Sequence, residues 1–443
     1  MLRYKHTPIP VKSTYKEIYI IIRQRNLPNL TSPLADQTLG LKKRIQDDLH
    51  RWDELYRVGV EIEICLLDDK AKPVNANPLI KELSKKFDMD AEYGKCQFEV
   101  KTEPISMHDL STVNTFFVDF IEFLKKSIEK VYKNSNVIPT FLGGNPSPDI
   151  FKRKFITRKE RYLNFYEWQK QFPDIEIEGQ IYKPNAIATA IQGFHLHLQG
   201  LNPIYTTHMF NYILNLLPSA ILLGSNSRLF AGRLYSFYEP RVYLYDHSEQ
   251  QNSGFPAIPK YLDRIDEYID YIASRPGLDE TRDYFGLEKD RHDDLRIRLN
   301  SPNYRVETRI MSVQPTPKET VAMIEFFIGF LYRAILEGKP LRPLSSLREE
   351  RAAIIRSGYD AKTHFNVSET VKTQLHVAKQ GLKDLGLGNE FIGILEKRLE
   401  AKTSPGQYVA KKWESTYNGN VYQTVSEIIQ HVWDKTKNNS PLL

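Results

Sequence analysis

Glu61 and Glu63, Glu99, His195 and His197, and Glu307 with Arg309 are side chains that bind divalent cations or phosphate, and each sits among apolar residues that alternate with it. Carboxylates and an imidazole in one site hold hard cations, and a guanidinium beside them grips phosphate or carboxylate through paired hydrogen bonds. Successive side chains of an extended strand point to opposite faces. Val60, Ile62 and Ile64 therefore face one way and Glu61 and Glu63 the other, while Cys96, Phe98 and Val100 oppose Gln97, Glu99 and Lys101. Phe194-His195-Leu196-His197-Leu198 presents its histidines together, and Val306-Glu307-Thr308-Arg309-Ile310 presents a carboxylate beside a guanidinium. The segments read as one antiparallel sheet with a dry face and a chemical face.

An antiparallel sheet with one face in water shows the same alternation, so any single segment has a bland reading as a solvated strand. Residue type decides against it. A solvated face mixes Lys, Thr, Ser and Glu, whereas these strands carry acids, a histidine pair and an arginine separately. Carboxylates gathered on one face repel one another unless a cation holds them, which is the argument for metal.

The elements that must position these groups fit a chain of 443 residues, long enough for a large core. Hydrophobic residues at 41% and charged residues at 26% are ordinary for a globular protein, and the net charge of +6 is a small difference between 61 basic and 55 acidic residues. No basic run interleaved with aromatics supports nucleic-acid binding. Cys65 and Cys96 are the only cysteines, no apolar leader core is visible near Met1, and a cytoplasmic location with buried, unpaired thiols is expected. The apolar stretches Phe210 to Leu223 and Met323 to Leu336 are interrupted by polar residues or proline, so they predict core helices rather than membrane spans. Phe116 to Tyr132 predicts another. Further helices are expected over Leu41 to Leu55, Leu347 to Ser357, Ser368 to Leu385 with Ser368 as N-cap and Gly386 as stop, and Tyr422 to Lys437. Residues 1–55 read as an N-terminal extension, 56–341 as the portion carrying all the chemistry, and 342–443 as a helical C-terminal region.

Taken in order, the motifs resemble those of the glutamate-cysteine ligase type 2 family, carboxylate-amine ligases with a glutamine-synthetase-like fold. The resemblance rests on Val58-Gly59-Val60-Glu61-Ile62-Glu63, on Glu92 and Glu99, on Gly193-Phe194-His195-Leu196-His197, on Ser225-Asn226-Ser227 with Gly232-Arg233, and on Glu307-Thr308-Arg309, over roughly residues 56 to 360. Each motif alone is weak; their common order is specific. The implied fold is α+β, a glutamine-synthetase-like antiparallel sheet with a metal and ATP site on one face, packed by helices, so that 56–341 becomes a catalytic core. The resemblance implies Mg²⁺ or Mn²⁺ held by Glu63, Glu92 and Glu99 at one site and by Glu61, His195 and Glu307 at another. It places His197 near the nucleotide and Arg309 on the transferring phosphoryl group. Asn226, Arg233 and Arg241 would belong to substrate binding, Arg241 gripping the carboxylate of the acid. Arg161-Tyr162 resembles a further substrate contact, although on a helix it reads first as surface. The chain departs from the family at Arg228, where proline is usual, and at Phe237-Tyr238-Glu239-Pro240, where small residues are usual. Those departures predict a reshaped acceptor pocket.

The implied activity is ATP-dependent amide formation through an acyl phosphate, with glutamate and cysteine as the expected pair. An amine cannot displace hydroxide from a carboxylate at neutral pH, so the γ-phosphoryl of ATP is transferred first, a step that is mostly positioning and charge neutralisation. Carboxylates with few imidazoles suit Mg²⁺ or Mn²⁺ better than Zn²⁺. The alternatives are a family member joining another acid or amine, an ATP:guanido phosphotransferase-like kinase and a noncatalytic nucleotide-binding relative. Expected partners are amino acids and ATP, with no nucleic acid and no membrane; homo-oligomerisation stays open.

Overall fold

The computed structural model describes residues 32–49, 51, 56–133, 135–151, 155–249, 252–278, 281–299 and 303–443. At its centre is an 8-stranded sheet. We number its strands β1 Arg57–Asp68, β2 Asp88–Ala91, β3 Gln97–Lys101, β4 Ile105–Ser106, β5 Val137–Thr140, β6 Phe194–Gln199, β7 Leu295–Arg298 and β8 Arg305–Thr308. The order is β7-β8-β6-β1-β3-β2, every pairing is antiparallel, and the short β4 and β5 add to β1. The antiparallel sheet is the one expected from the alternation, and the α+β architecture is the one the resemblance implied.

β1 is the axis of the sheet because Val58, Val60, Ile62 and Ile64 give it a continuous β-branched face. One edge of β1 pairs with β4 and then β3, the other with β6 and then β5. On the dry face Ile62 stands opposite Val100 and Phe194, and Ile64 opposite Phe98, all at 2% exposure or less. At about 25 cal/mol per Å² of apolar surface removed from water, each such side chain stabilises the sheet by roughly 1.5 to 3 kcal/mol. Cys65 and Cys96 are buried and free.

Helices cover the sheet. Leu110–Val131 buries Phe117, Phe120, Ile121 and Leu124, and the apolar stretch near residue 210 is two helices, Pro203–Leu214 and Leu217–Gly224, because Pro218 suits a helix start and not an interior. No helix among the described residues is long and apolar enough to cross a membrane. Among the described residues the first helix spans Ser32–Asp48, earlier than the expected Leu41 to Leu55, and residues 52–55 lie outside those described. Likewise Asn366, not Ser368, caps Val367–Asp384, its side chain accepting from the Glu369 N–H at 3.1 Å, while Gly386 ends the run with φ +68°. Gly393–Glu400 and Pro405–Thr416 were not anticipated, although Ser404-Pro405 is a helix-start signal.

The C-terminal helices share one hydrophobic core with the sheet, running from Leu34 to Leu442. Val367–Asp384 lies so close along Pro317–Glu337 that a Cβ on Gly381 would sit 1.9 Å from the Gly329 carbonyl oxygen, and one on Gly329 would sit 2.1 Å from that of Ala378. Only glycine fits that crossing.

Candidate active site

The strand register brings the chemical residues together. Side chains directly opposite one another in an antiparallel ladder share a face. Glu61 is opposite His195 on β6 and Lys101 on β3, Glu63 is opposite Glu99, His197 is opposite Glu307 on β8, and Glu307 is opposite Arg296 on β7. Three sets of donor atoms each lie within 4.8 Å of one another: Glu63, Glu92 and Glu99; Glu61, Glu99 and His195; and Glu61, His197 and Glu307. The first is the set expected. The second expected set is changed, because His197, not His195, stands between Glu61 and Glu307, its Nε2 3.3 Å from Glu61 and its Nδ1 4.0 Å from Glu307. His195, two residues earlier on β6, has its Nδ1 3.1 Å from Glu61 and 3.9 Å from Glu99. Alternation assigned both histidines to the face but could not assign their neighbours.

The changeover of β1 from β6 to β5 falls at Glu63, whose N–H donates to the Gly193 carbonyl and whose carboxylate accepts the Gly193 N–H at 2.5 Å. A Cβ on Gly193 would come within 2.7 Å of the Arg241 guanidinium and 3.0 Å of His195 Nε2, so glycine is required for that approach.

The electrostatics divide the cluster. Burial, with repulsion from Glu63 and Glu61, pushes the Glu92 carboxyl up to about 7, and burial with Glu61 and Glu92 pushes Glu99 well up. Burial also acts upward on Glu61 and Glu307, but His197 and His195 hold Glu61 well below the usual carboxylate range, and Arg296, His197 and Arg309 do the same for Glu307. The residues fit a divalent cation: carboxylates are crowded and buried, and among the described residues both His197 ring nitrogens are buried without a well-aligned hydrogen bond. Glu307 is the least available of them, since Arg296 binds it through two contacts of 2.8 Å and Arg309 through one of 2.7 Å.

A cavity of about 410 Å³ opens over this face, within the range of small-molecule sites. Besides the acids it is lined by Lys159, Arg161, Lys289, Arg296, Arg298 and Arg309. Sequence reasoning passed over Arg296 and Arg298, although Leu295-Arg296-Ile297-Arg298 alternates like the other strands. Arg161 and Tyr162, on the helix Glu160–Gln169, line the cavity as the resemblance implied, while residues 152–154 of the preceding basic run lie outside those described.

Two expected substrate contacts are elsewhere. Arg233 is exposed on a short ribbon with Phe230, donates to the Glu178 carbonyl and lies over the Tyr235 ring. Asn226 is buried at 2% exposure and donates to the Phe141 and Val313 carbonyls, so it ties loops together and does not line the cavity. Arg241 does line the cavity, but its guanidinium donates to the backbone carbonyls of Ile310 at 3.0 Å and Arg309 at 3.3 Å. It braces the segment that presents Arg309. The departure at Phe237 to Pro240 has a structural use: Glu239 is buried and accepts from Ser227, Ser312 and the Asn226 N–H.

The C-terminal region also reaches the site. Arg351, on the helix Leu344–Ser357, binds both carboxylate oxygens of Asp294 and both of Asp246, and the Asp294 carbonyl accepts the Arg309 N–H at 2.8 Å.

A sequence profile of glutamate-cysteine ligase family 2 matches residues 57–412. The fold is similar to that of a bifunctional glutathione synthetase from Pasteurella multocida, with TM-score 0.59 and 13% identity over 90% of this chain and 54% of that one. It is also similar to a glutamate–cysteine ligase from Francisella tularensis in complex with AMP, with TM-score 0.54 and 12% identity over 87% of this chain and 90% of that one. The chain thus spans about half the length of the Pasteurella protein. No curated protein matches its sequence.

Proposed function

The chain belongs to glutamate-cysteine ligase family 2, and we propose from that premise that it is an ATP-dependent carboxylate–amine ligase that makes γ-glutamylcysteine from glutamate and cysteine. The observation that carries the reading is the convergence of Glu61, Glu63, Glu99, His195, His197 and Glu307 on one sheet face, with Arg309 bonded to Glu307 at the same cavity. Mg²⁺ or Mn²⁺ would be held by Glu63, Glu92 and Glu99 and by Glu61, His197 and Glu307, with His195 joining Glu61 and Glu99. Such ions supply charge neutralisation for the ATP phosphates.

The chain's own residues do the rest. Arg309, anchored on Glu307 and braced through its carbonyl by Arg241, is placed to neutralise the phosphoryl group as it moves to the acid's carboxylate. Lys159, Arg161, Lys289 and Arg298 add positive charge to the cavity wall, which would attract the carboxylates of amino-acid substrates.

The test is a panel of amino acids with ATP and Mg²⁺, read by phosphate release and product mass. A γ-glutamyl dipeptide with ADP and phosphate supports the reading. A phosphorylated product without amide would make the protein a kinase, and another amide would keep the reaction and replace the substrates.

A further inference from the structure

His292 lies on the cavity wall outside the acidic cluster. Its Nδ1 is 2.6 Å from an oxygen of Glu249, the last residue of the helix Pro240–Glu249, and Glu249 is buried at 1% exposure. Phe165 meets the ring edge-on, with centroids 5.6 Å apart, and Tyr245 packs on it at 5.8 Å. One hydrogen bond and two aromatic rings therefore fix the imidazole, while among the described residues Nε2 has no hydrogen-bond partner. A carboxylate that fixes one ring nitrogen and leaves the other facing a cavity is the arrangement of a general base.

We propose that His292 accepts the proton of the incoming amine in the ligation step, with Glu249 as its positioning residue. The inference rests on the ligase reading above. The amine arrives as an ammonium and is not a nucleophile until a proton leaves it. His292 Nε2 takes that proton and becomes an imidazolium beside Glu249. The free amine attacks the acyl-phosphate carbon, the C–O bond to phosphorus breaks with its electron pair going to phosphate, and the second nitrogen proton leaves with that phosphate.

The carboxylates on the wall are already engaged. Glu61, Glu63, Glu92 and Glu99 form the candidate metal sets, Asp90 is held by Lys101 at 2.6 Å, and Asp290 by Arg282 at 2.8 Å. The charged and titratable groups that face His292 are Glu249, Tyr245, Arg309, Arg296, Arg161 and Arg291. Burial and those arginines hold the His292 imidazole well below its ordinary range, so the resting ring is neutral, and with Nδ1 donating to Glu249 the Nε2 lone pair accepts the proton.

Hydroxylamine tests this, because it is uncharged at neutral pH and needs no base to attack an acyl phosphate. With the acid and amine that the wild-type protein uses, His292→Gln should lose about 10²-fold or more in amide formation. Hydroxamate formation from the same acid and ATP should stay within about threefold of wild type. Glu249→Gln leaves the imidazole in place but offers Nδ1 an amide in place of a carboxylate, and should show the same split with a smaller loss. Amide formation within threefold of wild type in His292→Gln overturns the proposal, as does an equal loss of amide and hydroxamate in both variants. A wild-type protein that makes neither product from any acid defeats the ligase reading, and this proposal falls with it.

Discussion

Glu61 stands directly opposite His195 across the β1–β6 ladder, and its carboxylate is divided between that imidazole at 3.1 Å and the His197 ring at 3.3 Å. Strands supply the acid and the imidazoles separately, and the register alone makes them neighbours. A one-residue slip would turn the whole set to the dry face, so Val60, Ile62 and Ile64 secure the site by being buried.

Removing a member of a mutually repelling set should harm catalysis more than folding. Glu63→Ala and Glu99→Ala are expected to abolish Mg²⁺-dependent turnover, with a melting temperature in EDTA equal to or above that of wild type, since burial and neighbouring acids already push Glu99 upward. Activity assays beside thermal scans in EDTA check both halves.

Glu307 should behave in the opposite way. It neutralises Arg296, a guanidinium at 8% exposure bound through two contacts of 2.8 Å. Breaking a buried pair by removing one partner costs about 3 to 5 kcal/mol. Glu307→Gln should therefore lower the melting temperature even in EDTA, whereas Glu63→Ala should not; equal scans for the two variants would contradict the division of the cluster.

The acidic cluster should weaken the metal-free protein as pH rises toward neutrality. Glu92 is pushed up from 4.5 to about 7 in the folded chain, so its contribution is full below about 4.5 and is lost as pH climbs through about 7. Glu99 acts in the same sense. Glu61 and Glu307 are displaced downward, and their contributions are lost only on acidification below about 4.5, outside this window. The wild-type melting temperature in EDTA should therefore fall relative to that of Glu92→Gln between pH 5 and 7, since the depressed histidines titrate alike in both, and the rise produced by added Mg²⁺ should grow over the same interval. A difference between the two proteins that is constant or shrinks over that interval would contradict the repulsion.

Arg309 and Arg241 should now fail in related ways. Arg309→Lys keeps charge but loses the planar fork, so kcat should drop strongly with little change in KM. Arg241 braces the Arg309 carbonyl, so Arg241→Lys should also lower kcat, by roughly 10- to 150-fold for about 1.5 to 3 kcal/mol of charged hydrogen bond. If Arg241→Lys instead raises only the KM of the acid substrate, the guanidinium holds that substrate's carboxylate, as the resemblance implied.

Much of this site was legible because strand alternation has a period of 2 and sorts Glu61, Glu63, Glu99, His195, His197 and Glu307 without knowledge of the fold. Neighbour identity was not legible. The exchange of His195 for His197 beside Glu307 depends on how β6 registers against β8, which no single strand encodes. Asn226 and Arg233 matched motifs, but a loop and a two-residue strand have no periodicity to say where a side chain points, and they face a backbone junction and the surface. His292 stood in no alternating run long enough to be read, and its significance comes from Glu249, 43 residues away in sequence.

The central claim is that an acyl phosphate forms in this cavity, and oxygen tracing tests it most directly. The acid substrate is supplied with ¹⁸O in its carboxylate, together with ATP, Mg²⁺ and the amine, and the released phosphate is examined by mass. If the γ-phosphoryl group is transferred to the carboxylate before the amine attacks, an ¹⁸O atom from the acid appears in inorganic phosphate for each amide formed, with ADP as the other product. Unlabelled phosphate accompanying amide, or AMP with pyrophosphate in place of ADP, would contradict it.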